Sequence, residues 1–195
     1  VTWRTDWAGV DEVGRGALAG PVVGAAVAWR AGALPQLATT VRDSKRLTPK
    51  RRRTLACALL ADPAVEVALA WAEPAEIDRI NILQASLRVL AHAFSKLDRP
   101  GVYVDGKHPL PDVSPQETVV GGDRRVPQIA AASIIAKVFR DQWMISLHDL
   151  FPAYGWAKNK GYGSADHLDA LTQKGPSRHH RQSFAPVRQQ RLFAL

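Results

Sequence analysis

Gly9-Val10-Asp11-Glu12-Val13-Gly14-Arg15-Gly16 places two adjacent carboxylates where an apolar run meets a glycine-rich turn. The run that leads into it, Trp7-Ala8-Gly9-Val10, is short and apolar like a buried strand, and Pro21-Val22-Val23-Gly24-Ala25-Ala26-Val27-Ala28-Trp29 reads as a second strand beyond the turn. Together they make a hairpin-like pair with acids at its bend. Side chains alternate across a strand, so Asp11 and Glu12 do not share an ion merely by being neighbours; one faces the sheet surface while the other borders the loop. Gly14 and Gly16 permit positive φ and let backbone amides approach a ligand closely, and Arg15 adds a fixed charge between them. An acid pair beside an anion-friendly loop points to a metal ion and a phosphate. The same few residues also occur at ordinary solvated turns, so the rest of the chain has to decide.

Working outward, 195 residues suit one domain with a sizeable core, expected to span 1–195 with 156–195 as a helical C-terminal segment. A hydrophobic fraction of 46% with 23% charged residues argues against disorder. The net charge of +8, with a pI near 10.1, fits a polyanionic partner held around isolated acids, although Arg-rich surfaces also serve solubility. Cys57 is the only cysteine, which excludes an internal disulfide and a cysteine-rich zinc cluster. Among Leu55, Ala56, Ala58 and Leu59 it reads as a buried helical thiol. No apolar run is long enough to span a bilayer and the start does not read as a signal peptide, so the expected location is the cytoplasm. Nothing demands more than a monomer.

Downstream, Asp43-Ser44-Lys45-Arg46-Leu47-Thr48-Pro49-Lys50-Arg51-Arg52-Arg53 is the densest basic run. Thr48 before Pro49 predicts an N-cap with proline at the first helical position, the helix running to about Leu60. Ser44 and Lys45 beside that helix start form a natural phosphate seat, whereas Arg51 to Arg53 read equally as a solvated face. Val65 to Trp71 is a strand, Pro74 to Ile80 a short helix, and Leu83 to Leu97 a longer amphipathic one, with Asn81 in the join as a cap or a group reaching toward the site. Val102-Tyr103-Val104-Asp105-Gly106 repeats the opening pattern of a strand ending on an acid, and Glu117 to Val120, followed by Gly121-Gly122-Asp123, supplies a fourth carboxylate. From Pro127 a long helix carries Ser133, Lys137 and Asp141 on one stripe; because its first half is so small and apolar, Ser133 and Lys137 are read as lining a site. Tyr162, between Gly161 and Gly163 and near Lys158 and Lys160, can stack on a sugar or base or fold back onto the core, before a helix from Ser164 to about Thr172. His179 and His180 in the basic tail are read as solvent-exposed rather than as ligands.

Taken in order, Asp-Glu-Val-Gly-Arg-Gly at 11–16, Asp-Ser-Lys-Arg-Leu at 43–47, Val-Asp-Gly at 104–106, Gly-Asp at 122–123, Ala-Ala-Ser-Ile-Ile-Ala-Lys at 131–137, Gly-Tyr-Gly at 161–163 and His-Arg-Gln-Ser-Phe at 180–184 resemble the type 2 ribonucleases H, the bacterial ribonuclease HII family, over nearly the whole chain. The resemblance implies an α/β, ribonuclease-H-like fold: a mixed central sheet flanked by helices, with a helical C-terminal segment. It implies Asp11, Glu12, Asp105 and Asp123 as catalytic, metal-binding carboxylates, the Gly14-Arg15-Gly16 backbone as the reader of a ribose 2′-OH, and Tyr162 as a contact to the sugar beside an RNA–DNA junction. Asp141 either supports the metal site from behind or pairs with Arg140 or another neighbour. The implied reaction is endonucleolytic cleavage of RNA–DNA hybrids and of duplex DNA on the 5′ side of an embedded ribonucleotide, leaving 3′-OH and 5′-phosphate ends, with a role in ribonucleotide removal, repair and replication. The residue types agree with that chemistry. Two Mg²⁺ or Mn²⁺ ions about 3.5–4 Å apart can activate water and stabilise both charge and leaving oxygen, and hard ions want the oxygen ligands that Asp and Glu provide.

The rival enzyme is another carboxylate-dependent nuclease or polynucleotidyl transferase on the same sheet, indifferent to ribose. The rival from a different class is a non-catalytic hybrid binder, which gains nothing from clustering four acids against a polyanion. Finally, Gln189-Gln190-Arg191-Leu192-Phe193 is similar to the Gln-x-x-Leu-Phe pattern of bacterial sliding-clamp-binding peptides; packing of Leu192 and Phe193 on the domain is the competing reading.

Overall fold

The computed structural model describes residues 3–30, Val41 and residues 47–192, with side chains through Gln190. Ser44, Lys45, Phe193 and the Leu192 side chain lie outside the described residues. Five strands, β1 (Ala8–Val13), β2 (Val22–Trp29), β3 (Val65–Ala72), β4 (Val102–Asp105) and β5 (Gln116–Val119), form one sheet in the order β3-β2-β1-β4-β5. The first three are antiparallel, as the hairpin reading required, and β1, β4 and β5 run parallel. The sheet is thus mixed, and it is flanked by helices on both faces.

β2 explains why both faces are covered. Val22, Ala26 and Ala28 pack with Ala85, Val89 and Leu90 of α3 (Ile82–Phe94), whereas Val23, Ala25 and Val27 pack with Ala56 and Leu59 of α1 (Pro49–Ala61) and with the alanine-rich start of α4 (Pro127–Leu150). A strand buried on both sides reads as an unbroken apolar run, and β2 does. α1 begins as expected: the Thr48 hydroxyl accepts from the Arg51 amide at 3.3 Å and Pro49 opens the helix. α2 (Pro74–Ile80) ends at Asn81, whose side chain caps α3 by accepting from Gln84 N at 3.1 Å, which settles its role as a cap.

α4 crosses β1 closely because position 9 has no side chain. A Cβ on Gly9 would stand 2.4 Å from the Ile129 amide nitrogen. The far half of α4 packs with α5 (Trp156–Asn159), α6 (Ala165–Lys174) and α7 (Ala185–Leu192) through Met144, Leu147, Tyr154, Trp156, Leu171 and Val187. Among the described residues no helix is long and apolar enough to cross a membrane.

Candidate active site

Asp105 ends β4, and Asp11 lies within the neighbouring parallel strand β1, one residue past its last pairing with β4. Val10 lies opposite Val104 in the register, so the two acids leave the sheet side by side. Asp11 is 7% exposed, under α4, and its Oδ1 accepts from the Glu12 amide at 2.8 Å. Glu12 Oε1 accepts from Arg15 Nη1 at 3.2 Å. Asp105 Oδ1 accepts from the Gly122 amide at 2.7 Å, which fixes the 3-10 turn 122–124 against β4. Asp11, Glu12 and Asp105 line one cavity of about 320 Å³ together with Ser133, Lys137 and Arg52. Asp123, within that turn, is buried and does not border the cavity.

The cavity is electrostatically frustrated. Burial raises Asp11 well above the usual carboxylate range, and Glu12 and Asp105 push it further; the Ser133 hydroxyl and Glu12 amide oppose the shift. Glu12 is raised by burial too, with Arg15 pulling it back and Asp105 adding to the rise. Crowded, desolvated carboxylates are relieved by positive charge, so the donor set, all oxygen and without thiol or imidazole, fits a hard divalent cation. Among the described residues no three His, Cys, Asp or Glu side chains already converge as a metal-holding group, so the acids surround the cavity rather than close on a point.

Beside the acids, the Gly14-Arg15-Gly16 turn is fixed from behind by two buried arginines. Gly14 has φ +94°, and a Cβ there would meet Arg140 Nε at 2.2 Å; at Gly16 the same test meets nothing within 4 Å, leaving that stretch of backbone open to a ligand. Arg140, 0% exposed on α4, donates to the carbonyls of Pro21 (2.8 Å), Ala19 (3.0 Å) and Lys160 (2.9 Å). Arg181, also 0% exposed, donates to Gly20 O through Nε and Nη2 and to Arg15 O at 2.9 Å through Nη1. Burial, then the nearby Arg140, pulls Arg181 down to about 9.

Tyr162 closes the same side. Its ring is partly exposed, with Lys137 Nζ 5.9 Å and Arg140 Cζ 5.5 Å from its centre. The preceding Gly161 carbonyl accepts from the amides of Leu18 (2.7 Å) and Ala19 (3.3 Å), docking the tyrosine loop onto the segment that follows the glycine turn. Asp141 pairs with Lys137 at 2.7 Å rather than with Arg140. A second cavity of about 330 Å³ shares Arg52 and Lys137 with the first and adds Arg53, Lys158 and Lys160.

Two sequence expectations are corrected. Cys57 is exposed, because it falls on the outer face of α1 while Ala56 and Leu59 face the core. His180 is 1% exposed: it pairs across an isolated bridge with Ala19 and packs against Tyr154 and Trp156. Arg140, His167 and Arg181 were not singled out as site residues. Arg140 was reachable, since it continues the buried stripe of Ala132 and Ala136 toward Met144, where a charge needs partners.

A mixed sheet with acids side by side on adjacent parallel strands, crossed by an alanine-rich helix, defines a ribonuclease-H-like hydrolase. The family described as Ribonuclease HII matches residues 8–187, and the chain belongs to that family. It is 55% identical over 185 residues to Ribonuclease HII of Rhodospirillum rubrum, covering 93% of this chain and 85% of that one. The ribonuclease H2 of Pyrococcus horikoshii superposes with a TM-score of 0.79 at 25% identity, over 95% and 97% of the two chains. The RNase HII in the PCNA:RNase HII complex of Archaeoglobus fulgidus gives 0.78 at 26% identity, over 94% and 96%. As a family these ribonucleases H are divalent-metal-dependent endonucleases.

Proposed function

We propose that this ribonuclease H cuts the RNA strand of RNA–DNA hybrids and duplex DNA on the 5′ side of single embedded ribonucleotides, leaving 3′-OH and 5′-phosphate ends and serving ribonucleotide removal during repair and replication. The observation that carries the reading is the adjacency of three cavity-lining carboxylates to an open glycine turn and a tyrosine loop. Asp11, Glu12 and Asp105, with Asp123 behind the turn that Asp105 holds, are assigned as the ligands of Mg²⁺ or Mn²⁺. When bound, two such ions supply Lewis acidity toward the phosphate and lower the pKa of water.

The chain's own residues do the rest. The Gly14-Arg15-Gly16 backbone, open at Gly16, is assigned to a ribose 2′-OH, the group that tells RNA from DNA at one position. Arg15 Nη1 donates to Glu12 Oε1 at 3.2 Å, which ties its exposed side chain toward the acids. Lys137, oriented by Asp141, and Ser133 meet the scissile phosphate, and Tyr162 meets the neighbouring sugar. Ser44 and Lys45 are assigned to a flanking phosphate on their sequence alone. Residues 1–195 act as one catalytic domain with 156–195 as its helical segment. The Gln189-to-Phe193 segment is assigned to a sliding clamp; the complex of the Archaeoglobus protein with PCNA supports that reading, and Gln189 is exposed at the start of the motif.

The test is cleavage of three labelled duplexes of one sequence, all-DNA, one ribonucleotide, and RNA–DNA hybrid, with Mg²⁺ or Mn²⁺, by wild type and Asp11→Asn. Metal-dependent cuts confined to ribose and abolished in Asp11→Asn are expected. Cutting of the all-DNA duplex would sink the specificity, and an active Asp11→Asn would sink the site.

A further inference from the structure

Behind Tyr162, outside the acid cavity, two fully buried histidines touch each other. His167 and His180 are 0% and 1% exposed, and their Nε2 atoms stand 3.1 Å apart. The backbone at each end of the pair fixes every proton in it. His180 Nδ1 lies 2.9 Å from the Ser177 amide, which can only donate, so Nδ1 is the acceptor and His180, when neutral, carries its proton on Nε2. His167 Nδ1 lies 2.8 Å from the Tyr162 carbonyl, which can only accept, so Nδ1 carries the proton and Nε2 is bare. The single lone pair of the bare Nε2 is shared by the N–H of His180 and that of Trp156, each at 3.1 Å. The Ser177 hydroxyl, 3.0 Å from His180 Nδ1, accepts from the His179 amide and donates to the same nitrogen. A one-way chain of donors therefore runs from Ser177 through His180 and His167 to the carbonyl of Tyr162. Burial holds both imidazoles neutral, His180 with a pKa near 3.

The segment that bears His180 also holds the glycine turn. The Arg181 amide donates to Leu18 O at 2.9 Å and its guanidinium to Arg15 O and Gly20 O, while Gly20 N donates to His179 O at 2.8 Å. One short stretch, 177–181, thus grips the reader of the 2′-OH on one side and the tyrosine loop on the other.

We propose that His167 and His180 are positioning residues for substrate discrimination: by bracing the Tyr162 carbonyl from segment 177–181, they set the tyrosine against the Gly14-Arg15-Gly16 turn and so favour a lone ribonucleotide flanked by DNA. The proposal rests on the reading of Tyr162 as the contact to the sugar beside the junction. Neither histidine touches substrate; both act through a backbone carbonyl.

The readout is the ratio of kcat/KM on a one-ribonucleotide duplex to that on an RNA–DNA hybrid, because loss of folded protein lowers both values equally and leaves their ratio unmoved. Tyr162→Ala is expected to lower the ratio about tenfold, His167→Leu to reproduce most of that loss, and the double variant to fall no further. His167→Asn, whose side-chain N–H stands in for Nδ1–H toward Tyr162 O, is expected to return the ratio to within about twofold of wild type. A ratio that falls in Tyr162→Ala but not in His167→Leu overturns the brace alone; one that stays unchanged in Tyr162→Ala overturns the sugar contact and the brace with it. Wild-type ¹⁵N spectra supply a second measurement that needs no variant to fold. They are expected to show His167 protonated on Nδ1 and His180 on Nε2 at neutral pH, and the opposite tautomer at either ring overturns the proposal.

Discussion

Asp11 is held where an isolated carboxylate resists ionisation, with Glu12 and Asp105 facing the same cavity. Replacing it by Asn keeps the shape and removes a repelling charge. Activity is therefore expected to fall by about a thousandfold or more, while the thermal midpoint in chelator at pH 7 rises by about 2–4 °C, the amount that about 1 kcal/mol produces in a chain of this size. A falling midpoint would mean that the charge is satisfied by the protein alone. The acids were legible in the sequence because each stands near an apolar stretch and a glycine, Asp11 and Glu12 before Gly14, Asp105 before Gly106 and Asp123 after Gly122, a contrast that needs no tertiary knowledge. Arg140, Arg181 and His180 were not, because their partners are carbonyls and a second imidazole. Arg140 reaches Ala19 and Pro21, and Arg181 reaches Gly20 from 161 residues away. A buried basic residue in a basic tail looks like a solvated one until the chain folds back.

Elements meet in this fold through small residues. Gly9→Ala places a Cβ against the backbone of α4, which has no rotamer with which to yield, so a loss of about 3 kcal/mol is expected in urea denaturation. A loss below about 0.5 kcal/mol would show that α4 can slide over β1. The C-terminal segment adds an acid-sensitive joint. His180 is kept neutral by burial first and then by His167 and His179, whereas the unfolded chain binds that proton near pH 6.5. The stability this neutrality supports is complete above about pH 6.5 and drains at about 1.4 kcal/mol per unit as pH falls toward about 3. Denaturation midpoints between pH 7 and 4 are expected to drop more steeply in wild type than in His180→Gln; parallel slopes would exonerate the histidine. At this scale the sequence was informative wherever one element carried its own signal. Thr48-Pro49 marked the start of α1, and the apolar run from Pro21 to Trp29 marked β2 as a strand. The order in which strands line up, and the bridge between Ala19 and His180, depend on encounters that no local pattern records.

For the molecule as a whole, the net charge is +8, and Arg52 and Lys137 are shared between two cavities while Arg53, Lys158 and Lys160 extend the second. If four of these meet phosphates, raising salt from 50 to 200 mM is expected to weaken binding of a catalytically blocked Asp11→Asn protein to hybrid by about a hundredfold. A flat salt response would leave the basic surface a solubility device. Deleting Gln189 to Leu195 is expected to abolish sliding-clamp binding in a pull-down and to leave cleavage of free hybrid intact. Equal capture of both proteins would remove the clamp assignment.

The grip of Arg181 on Arg15 spans 166 residues of sequence. On a ribosome adding about 5–20 residues per second, β1 and its glycine turn are made roughly 8–30 s before the arginine that steadies that turn. A chain still being translated thus carries Asp11, Glu12 and the glycine turn before it carries the arginine that steadies that turn. Synthesis itself becomes a safety catch: the turn is laid down first, and its brace is installed last, as the final stretch emerges. Chains stalled on the ribosome before Ser177 should leave a single embedded ribonucleotide untouched.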